Sequence, residues 1–190
     1  MRKFLIVIVL LMMPTVRVAG QEFTTFGERL FGGGALGLNL GNRVTQIDVQ
    51  PLGGVWLLRQ WCVGVSGRYS FRSVRFTVGE EAAAPRRSHM WGVSAFTQVL
   101  PVPDLDYAFG VGIHGGPLVH GEYEWLYVSR TLAEQQAAGR RWAQVVMLGP
   151  GWRQQLGRRS ALELLVLWAI PVSRFNPYLD NPLLRLNFTF

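Results

Sequence analysis

The feature that most constrains this chain is a two-residue rhythm in its hydrophobicity. Its clearest instance closes the sequence, where Leu184, Leu186, Phe188 and Phe190 fall on one side of an extended segment and Arg185, Asn187 and Thr189 on the other. A helix would mix the two sets; a strand separates them. The preceding segment repeats the pattern, with Leu162, Leu164, Val166, Trp168 and Ile170 alternating against Ala161, Glu163, Leu165, Leu167 and Ala169, and the charge at Glu163 marks the inward side. Between Trp61 and Phe76, the residues Trp61, Val63, Val65, Tyr69 and Phe71 oppose Cys62, Gly64, Ser66, Arg68, Ser70 and Arg72. A further run from Tyr107 to Val119 sends Tyr107, Phe109, Val111, Ile113 and Val119 outward, and Gly110, Gly112, His114 and Gly116 inward, with His120 and Glu122 continuing the inner face.

Four more segments carry a weaker form of the pattern: 30–40, 46–58, 89–100 and 141–155. The total is eight, and an even number of strands leaves both chain ends on the same side. Almost half the residues are apolar (49%), yet beyond the first 20 no apolar stretch reaches the length of a helical bilayer span. Segments of ~10 residues with alternating polarity are the mark of a membrane-crossing barrel. The expected fold is all-β: a closed antiparallel up-and-down transmembrane β-barrel of about eight strands. Its turns on the inner side of the membrane would be Arg59-Gln60, Pro101 to Asp104 and Gly157 to Arg159. The opposite loops would be Gly41 to Thr45, Gly79 to Ser88, Val128 to Arg140 and Ser173 to Asn181, with a short helical turn at 132–138. Pro51, Pro117, Pro150 and Pro171 fall inside these strands and oppose the assignment, because proline cannot donate to a ladder. Each calls for a strand end, a lost hydrogen bond, or a bulge of the kind that Gly53, Gly54, Gly115, Gly116, Gly149 and Gly151 would ease.

Arg2 and Lys3, the apolar run Phe4 to Met13 and the small residues Val18 and Gly20 predict a secretory signal peptide over 1–20 and a single barrel domain over 21–190. Removing Arg2, Lys3 and Arg17 lowers the formal charge from +7 to +4. The remaining basic residues are all arginines scattered along the chain, which argues against nucleic-acid binding. Cys62 is the only cysteine, so no internal disulfide is available, and a small inward packing residue is the expected role.

An eight-stranded barrel is filled by its own side chains. Charges inside it have to pair. The inward alternation assigns a lumenal polar network to Asp48, Arg68, Arg72, Glu163 and Arg185. If Leu58 faces Cys62 across a three-residue turn, Asp48 stands opposite Arg72, and the two form an ion pair. The one cluster suggesting catalysis is His114, His120 and Glu122 with Ser88 or Ser94, a set able to activate a hydroxyl for ester hydrolysis. The same histidines are the candidate metal ligands, although two without a third make no site. No cofactor is implied. Arg86, Arg87, Arg140 and Arg141 flank the long loops and suit lipopolysaccharide phosphates or simple solvation.

The glycine-rich stretch Phe31 to Leu38, Ile47-Asp48-Val49-Gln50-Pro51, the segment Val63 to Phe71, Gly149-Pro150-Gly151-Trp152, Ala161-Leu162-Glu163-Leu164 and Leu186-Asn187-Phe188-Thr189-Phe190 together resemble the small outer-membrane β-barrel (porin-family) proteins of Bacteroidetes-type bacteria. The resemblance covers nearly all of 21–190 and contains no catalytic motif. It implies an outer-membrane location, lipid and lipopolysaccharide as surroundings, and a monomer. It also implies that Phe188 and Phe190 form the signal read by the barrel-assembly machinery; the alternative is that they are ordinary lipid-facing residues. Gln98 stands where the family pattern implies an inward arginine. The expected function is a non-enzymatic envelope-structural, surface-interaction or limited-transport role. The alternatives are a lipid-modifying hydrolase of the outer membrane and a soluble periplasmic lipocalin-like binding barrel.

Overall fold

The computed structural model describes residues 25–40, 44–74, 77–78, 81–82, 86–128, 142–173, 177–178 and 181–190. The expected signal peptide and the helical turn at 132–138 lie outside them. The ring strands are β1 (Leu30–Leu40), β2 (Val44–Leu58), β3 (Trp61–Val74), β6 (Arg86–Val99), β7 (Gly115–Val128), β8 (Trp142–Gln155), β9 (Ala161–Pro171) and β10 (Leu183–Thr189). A two-stranded hairpin, β4 (Thr77–Val78) with β5 (Glu81–Ala82), sits between β3 and β6. Each ring strand pairs antiparallel with its neighbours in chain order, and β10 returns to β1. The protein is therefore an all-β, closed, eight-stranded up-and-down barrel. Closure is completed where Gly32 and Phe190 exchange backbone hydrogen bonds of 3.0 and 2.9 Å, which puts the start of β1 and the last residue at one end.

Alternation sorts the side chains as a barrel requires. In β7, Leu118, His120, Glu122, Glu124, Leu126 and Val128 are buried, while Val119 and Trp125 are exposed. In β10, Arg185, Asn187 and Thr189 are buried against exposed Leu184, Leu186 and Phe188. Toward the loop end, Met90, Leu126, Val128, Val145, Met147, Leu165, Leu167 and Ala169 pack with Tyr178. Buried polar side chains fill the middle and also reach that end at Gln46, Ser70, Arg72 and Ser88, while Leu100 and Leu118 are buried at the turn end.

The run from Tyr107 to Val119 is not one strand. Asp104 caps a short helix, α1 (Leu105–Phe109), accepting hydrogen bonds from the backbone N–H groups of Asp106 and Tyr107, and Gly110 ends it at φ 65°. The strand begins only at Gly115, so the β6–β7 connection is longer than the Pro101–Asp104 turn suggested. The alternation of Tyr107, Phe109, Val111 and Ile113 is accidental: all four are exposed. Strand β6 also starts at Arg86, three residues before the expected His89.

A second correction concerns register. Arg59-Gln60 forms a two-residue turn with Leu58 facing Trp61, and the pairing shifts between Trp56 and Leu58. Asp48 consequently faces Ser70, and Gln46 faces Arg72. The shift is two residues, so every side chain keeps its face.

The prolines occupy places where the ladder is already missing. Pairing of β2 with β3 skips Gln50 and Pro51 and resumes at Leu52 opposite Ser66 in the same register, while β2 stays continuous with β1. Pairing of β8 with β9 likewise skips Gly149 and Pro150. Pro117 precedes the first β6–β7 pair, Val99 with Val119, and Pro171 ends β9. Because the register is unchanged across both gaps, the expected glycine bulges are not needed there.

Beside one gap the backbones come very close, and a Cβ at Gly149 would run into the Val166 carbonyl. Gly149→Ala should therefore destabilise the barrel by about 1–3 kcal/mol, whereas Gly121→Ala, whose Cβ would meet only Thr97 and Leu148 at 3.6–3.7 Å, should cost far less. Urea unfolding of the two folded variants checks this. Equal midpoints would mean that the strands can yield at Gly149.

Candidate functional site: the polar interior

Asp48, Glu122, Glu124 and Glu163 share the interior with Arg68, Arg72, Arg153 and Arg185, so carboxylates and guanidinium groups match among the described residues. The pairs are specific. Arg68 bridges Asp48 at 3.0 Å and Glu124 at 2.5 Å. Arg185 donates to Glu122 and stands 3.5 Å from Glu124. Arg153 holds Glu163 at 2.6 Å and stacks its guanidinium 4.9 Å from the Trp56 ring. The proposed Asp48–Arg72 pair is not formed. The register shift carries Arg72 toward the loop end, where its Nη1 donates to the Pro177 carbonyl at 3.4 Å, and leaves Asp48 to Arg68.

Neutral groups link the charged ones across the barrel. Gln50 donates to Ser66 at 2.5 Å and to Glu122 at 2.8 Å, and Ser94 donates to the same Glu122 oxygen. Nearer the turn end, Gln98 and Asn187 donate to Glu163 at 2.9 and 3.1 Å, and Cys62 lies buried with its thiol on the Gln98 oxygen at 3.4 Å. Cys62 thus takes the small inward position. From the loop side, Tyr178 enters the interior, donates its hydroxyl to Glu124 and lies 5.2 Å beneath Arg68. Burial, with the Glu124 carboxylate adding to it against the opposing pull of Arg68, holds the Tyr178 phenol well above its ordinary range. Tyr178 therefore stays a donor.

Of the side chains proposed for catalysis, His120, Glu122 and Ser94 do meet, but in an order that activates nothing. The serine hydroxyl donates to Glu122, not to a histidine, while His120 sets Nε2 3.2 Å from Glu122 and Nδ1 3.1 Å from Gln98. An acyl-transfer nucleophile needs its base on its own oxygen. His114 lies elsewhere, exposed beside α1 with Asp104 at 3.5 Å and Asp106 at 3.9 Å. Among the described residues, no three metal-ligating side chains converge. Phe188 and Phe190 point outward, with ring centroids 6.0 Å apart. Arg87 is exposed at the start of β6, and Arg140 and Arg141 lie outside the described residues.

Sequence reasoning turned Gln50, Ser66 and Asn187 inward, as they are, without naming them in the network, and it missed Glu124 and Tyr178. Glu124 continues the even spacing of His120 and Glu122 and was legible. Tyr178, on an irregular segment, carries no periodic signal. Against known proteins, no family model matches the chain and no curated protein matches it.

Glu163 is a fitting place to test what the network contributes. Replacing it by leucine strands the Arg153 charge and leaves two buried amides without their acceptor. Glu163→Leu should lose about 3–5 kcal/mol, and adding Arg153→Leu should recover much of it. Unfolding monitored by tryptophan fluorescence measures both, and a double variant as unstable as the single one would mean that the pair is not coupled.

Proposed function

We propose that this chain is a membrane-spanning barrel of the bacterial outer membrane, akin to the small porin-family barrels that its sequence resembles, with a structural or surface-interaction role and no enzymatic activity. The observation that carries the reading is the polarity of the wall. Among the described residues, Arg87 at the loop end is the one charged side chain at an outward position of the ring strands. The rest of the wall is mainly apolar, with Val65 65%, Leu184 64% and Val93 59% exposed, interrupted by uncharged polar side chains such as His89, Thr97 and Gln144. In water such a surface is costly; against acyl chains it is favourable. A lipocalin-like barrel needs the reverse, with the apolar face inside.

Aromatic placement supports a bilayer too. Tyr69, Trp91, Tyr127 and Trp142 face one another across four consecutive strands, forming a continuous outward row near the loop end. Trp61, Trp152, Phe188 and Phe190 lie toward the other end, as two interfacial girdles would require. No helix among the described residues is long and apolar enough to cross a membrane; in this reading it is the strands that cross it. The interior is crossed by ion pairs and hydrogen bonds, which favours a plugged core over a diffusion pore. Under this reading the signal peptide directs export, and Phe188 and Phe190 are read by the assembly machinery. The protein works as a monomer in lipid and lipopolysaccharide, with no nucleic-acid partner. The Ser94–Glu122–His120 arrangement weighs against lipid hydrolysis.

Cells expressing the full chain should hold the protein in the outer-membrane fraction, and an unheated sample should migrate faster in a detergent gel than a boiled one. A soluble periplasmic protein whose mobility ignores heating would overturn the proposal. Acyl release from outer-membrane lipid by the purified protein, abolished by His120→Ala, would overturn its non-enzymatic part.

A further inference from the structure

The barrel is not equally closed all the way round. Between β1 and β10 the ladder has four registered pairs, from Gly33 with Thr189 to Leu36 with Leu186, and then stops. Beyond that point β1 continues on β2 as far as Leu40, and β10 continues on β9 as far as Leu183, so both strands run on without pairing to each other. The seam splays toward the loop end. Unpaired strand edges facing hydrocarbon are costly, and polar groups at such a gap favour a polar occupant.

A cavity of about 310 Å³ lies behind the gap. Its polar wall is Gln46, Asp48, Gln50, Arg68 and Arg185, and it is also bordered by Leu184, which faces the outer wall. The cavity thus lies beside the unpaired stretch of the seam, with Gly37 of β1 and Leu184 of β10 both at its border. Its size falls at the low end of ligand pockets, which run from about 300 to 1,000 Å³.

Charge decides what class of ligand fits. Arg68 is matched by Asp48 and Glu124, and Arg185 by Glu122 and Glu124, so an ionic headgroup would have to break a buried pair. Two amides beside a carboxylate and a guanidinium present acceptors and donors side by side. Hydroxyl groups, which both donate and accept, answer that pattern.

We propose that the splayed β1–β10 seam is the lateral mouth of a binding site for an uncharged, hydroxyl-rich group of monosaccharide or glycerol size, carried as the head of an alkyl amphiphile or supplied as a free sugar. The site rests on the membrane-spanning reading, since its mouth opens onto the apolar wall. Gly37 faces the cavity, and a Cβ there would lie 3.0 Å from Asp48 Oδ2. A larger side chain at this position fills the site without touching the lower ladder.

The test uses the full chain folded into phosphatidylcholine vesicles and first checked for the fast unheated band, so that failure of the membrane reading shows there and not in the binding data. The probe is an alkyl glucoside bearing a diazirine on its first chain carbons. Crosslinks should concentrate on β1 and β10 beside the seam, about tenfold above those of alkyl sulfate or alkyltrimethylammonium analogues, and Gly37→Leu should reduce them by a similar factor. Gln46→Leu serves the same purpose if the first variant does not fold. Competition by free glucose assigns the site to soluble sugar, and its failure to compete assigns the site to the amphiphile. Labelling spread evenly around the wall, equal labelling by the charged analogues, or undiminished labelling in the folded variants would overturn the proposal.

Discussion

Carboxylate and guanidinium groups that must neutralise each other share the interior of a ring only eight strands around, and the rest of the structure follows from that constraint. An unpaired ion in so narrow a space costs several kcal/mol. The partners cannot come from the same strand. Arg185 on β10 reaches Glu122 on β7, and Arg68 on β3 reaches Glu124 on the same β7, so each contact ties together strands that are not ladder neighbours. Strand β7 carries His120, Glu122 and Glu124 in one inward row and acts as the acidic spine onto which the arginines of β3 and β10 close. The backbone ladder joins neighbours; these pairs join strands two and three places apart in the ring.

The same ring tolerates discontinuities because each has a local cause. Pro51 and Pro150 interrupt the β2–β3 and β8–β9 ladders without changing register, and in both cases the strand stays continuous with its other neighbour. One side of the strand gives way; the other holds. The β1–β10 seam differs, since no proline on either strand forces the separation. There the strands diverge beside the cavity, and Asp48 packs where β1 offers only Gly37.

Much of the fold was legible because an apolar wall and a polar lumen write opposite demands onto alternate residues. The segment 30–40 was read with the bounds that β1 has, and Arg185 and Glu163 were read to the correct face. The same logic misled at 107–113, where alternation persists by chance. Asp104 after a proline pair, with Gly110 and Gly112 at φ 65° and 72°, was the competing signal for a capped helix. Faces were easier to read than partners. Alternation fixes parity, whereas the partner of Asp48 depends on one turn, and a two-residue turn with a nearby shift exchanged Arg72 for Arg68. Cross-barrel contacts such as Gln50 with Glu122 depend on which strands stand opposite in the ring, and Tyr178 reaches Glu124 from a segment with no period at all.

Polarity also limits what the molecule can be used for. A barrel that spends its lumen on ion pairs has little interior left to offer a passing solute, and under the proposed membrane reading the apolar wall faces the bilayer. What remains available for recognition is the rim and any place where the wall parts. From the loop side Tyr178 reaches the charge cluster, with its hydroxyl on Glu124 and its ring 5.2 Å from the Arg68 guanidinium. On the proposed reading, the β1–β10 seam offers a route to Asp48 and Arg68 that does not pass Tyr178, and a ligand entering there would exchange contact with lipid for contact with amides and a compensated ion pair. That exchange suits a molecule which is itself half apolar and half hydroxyl.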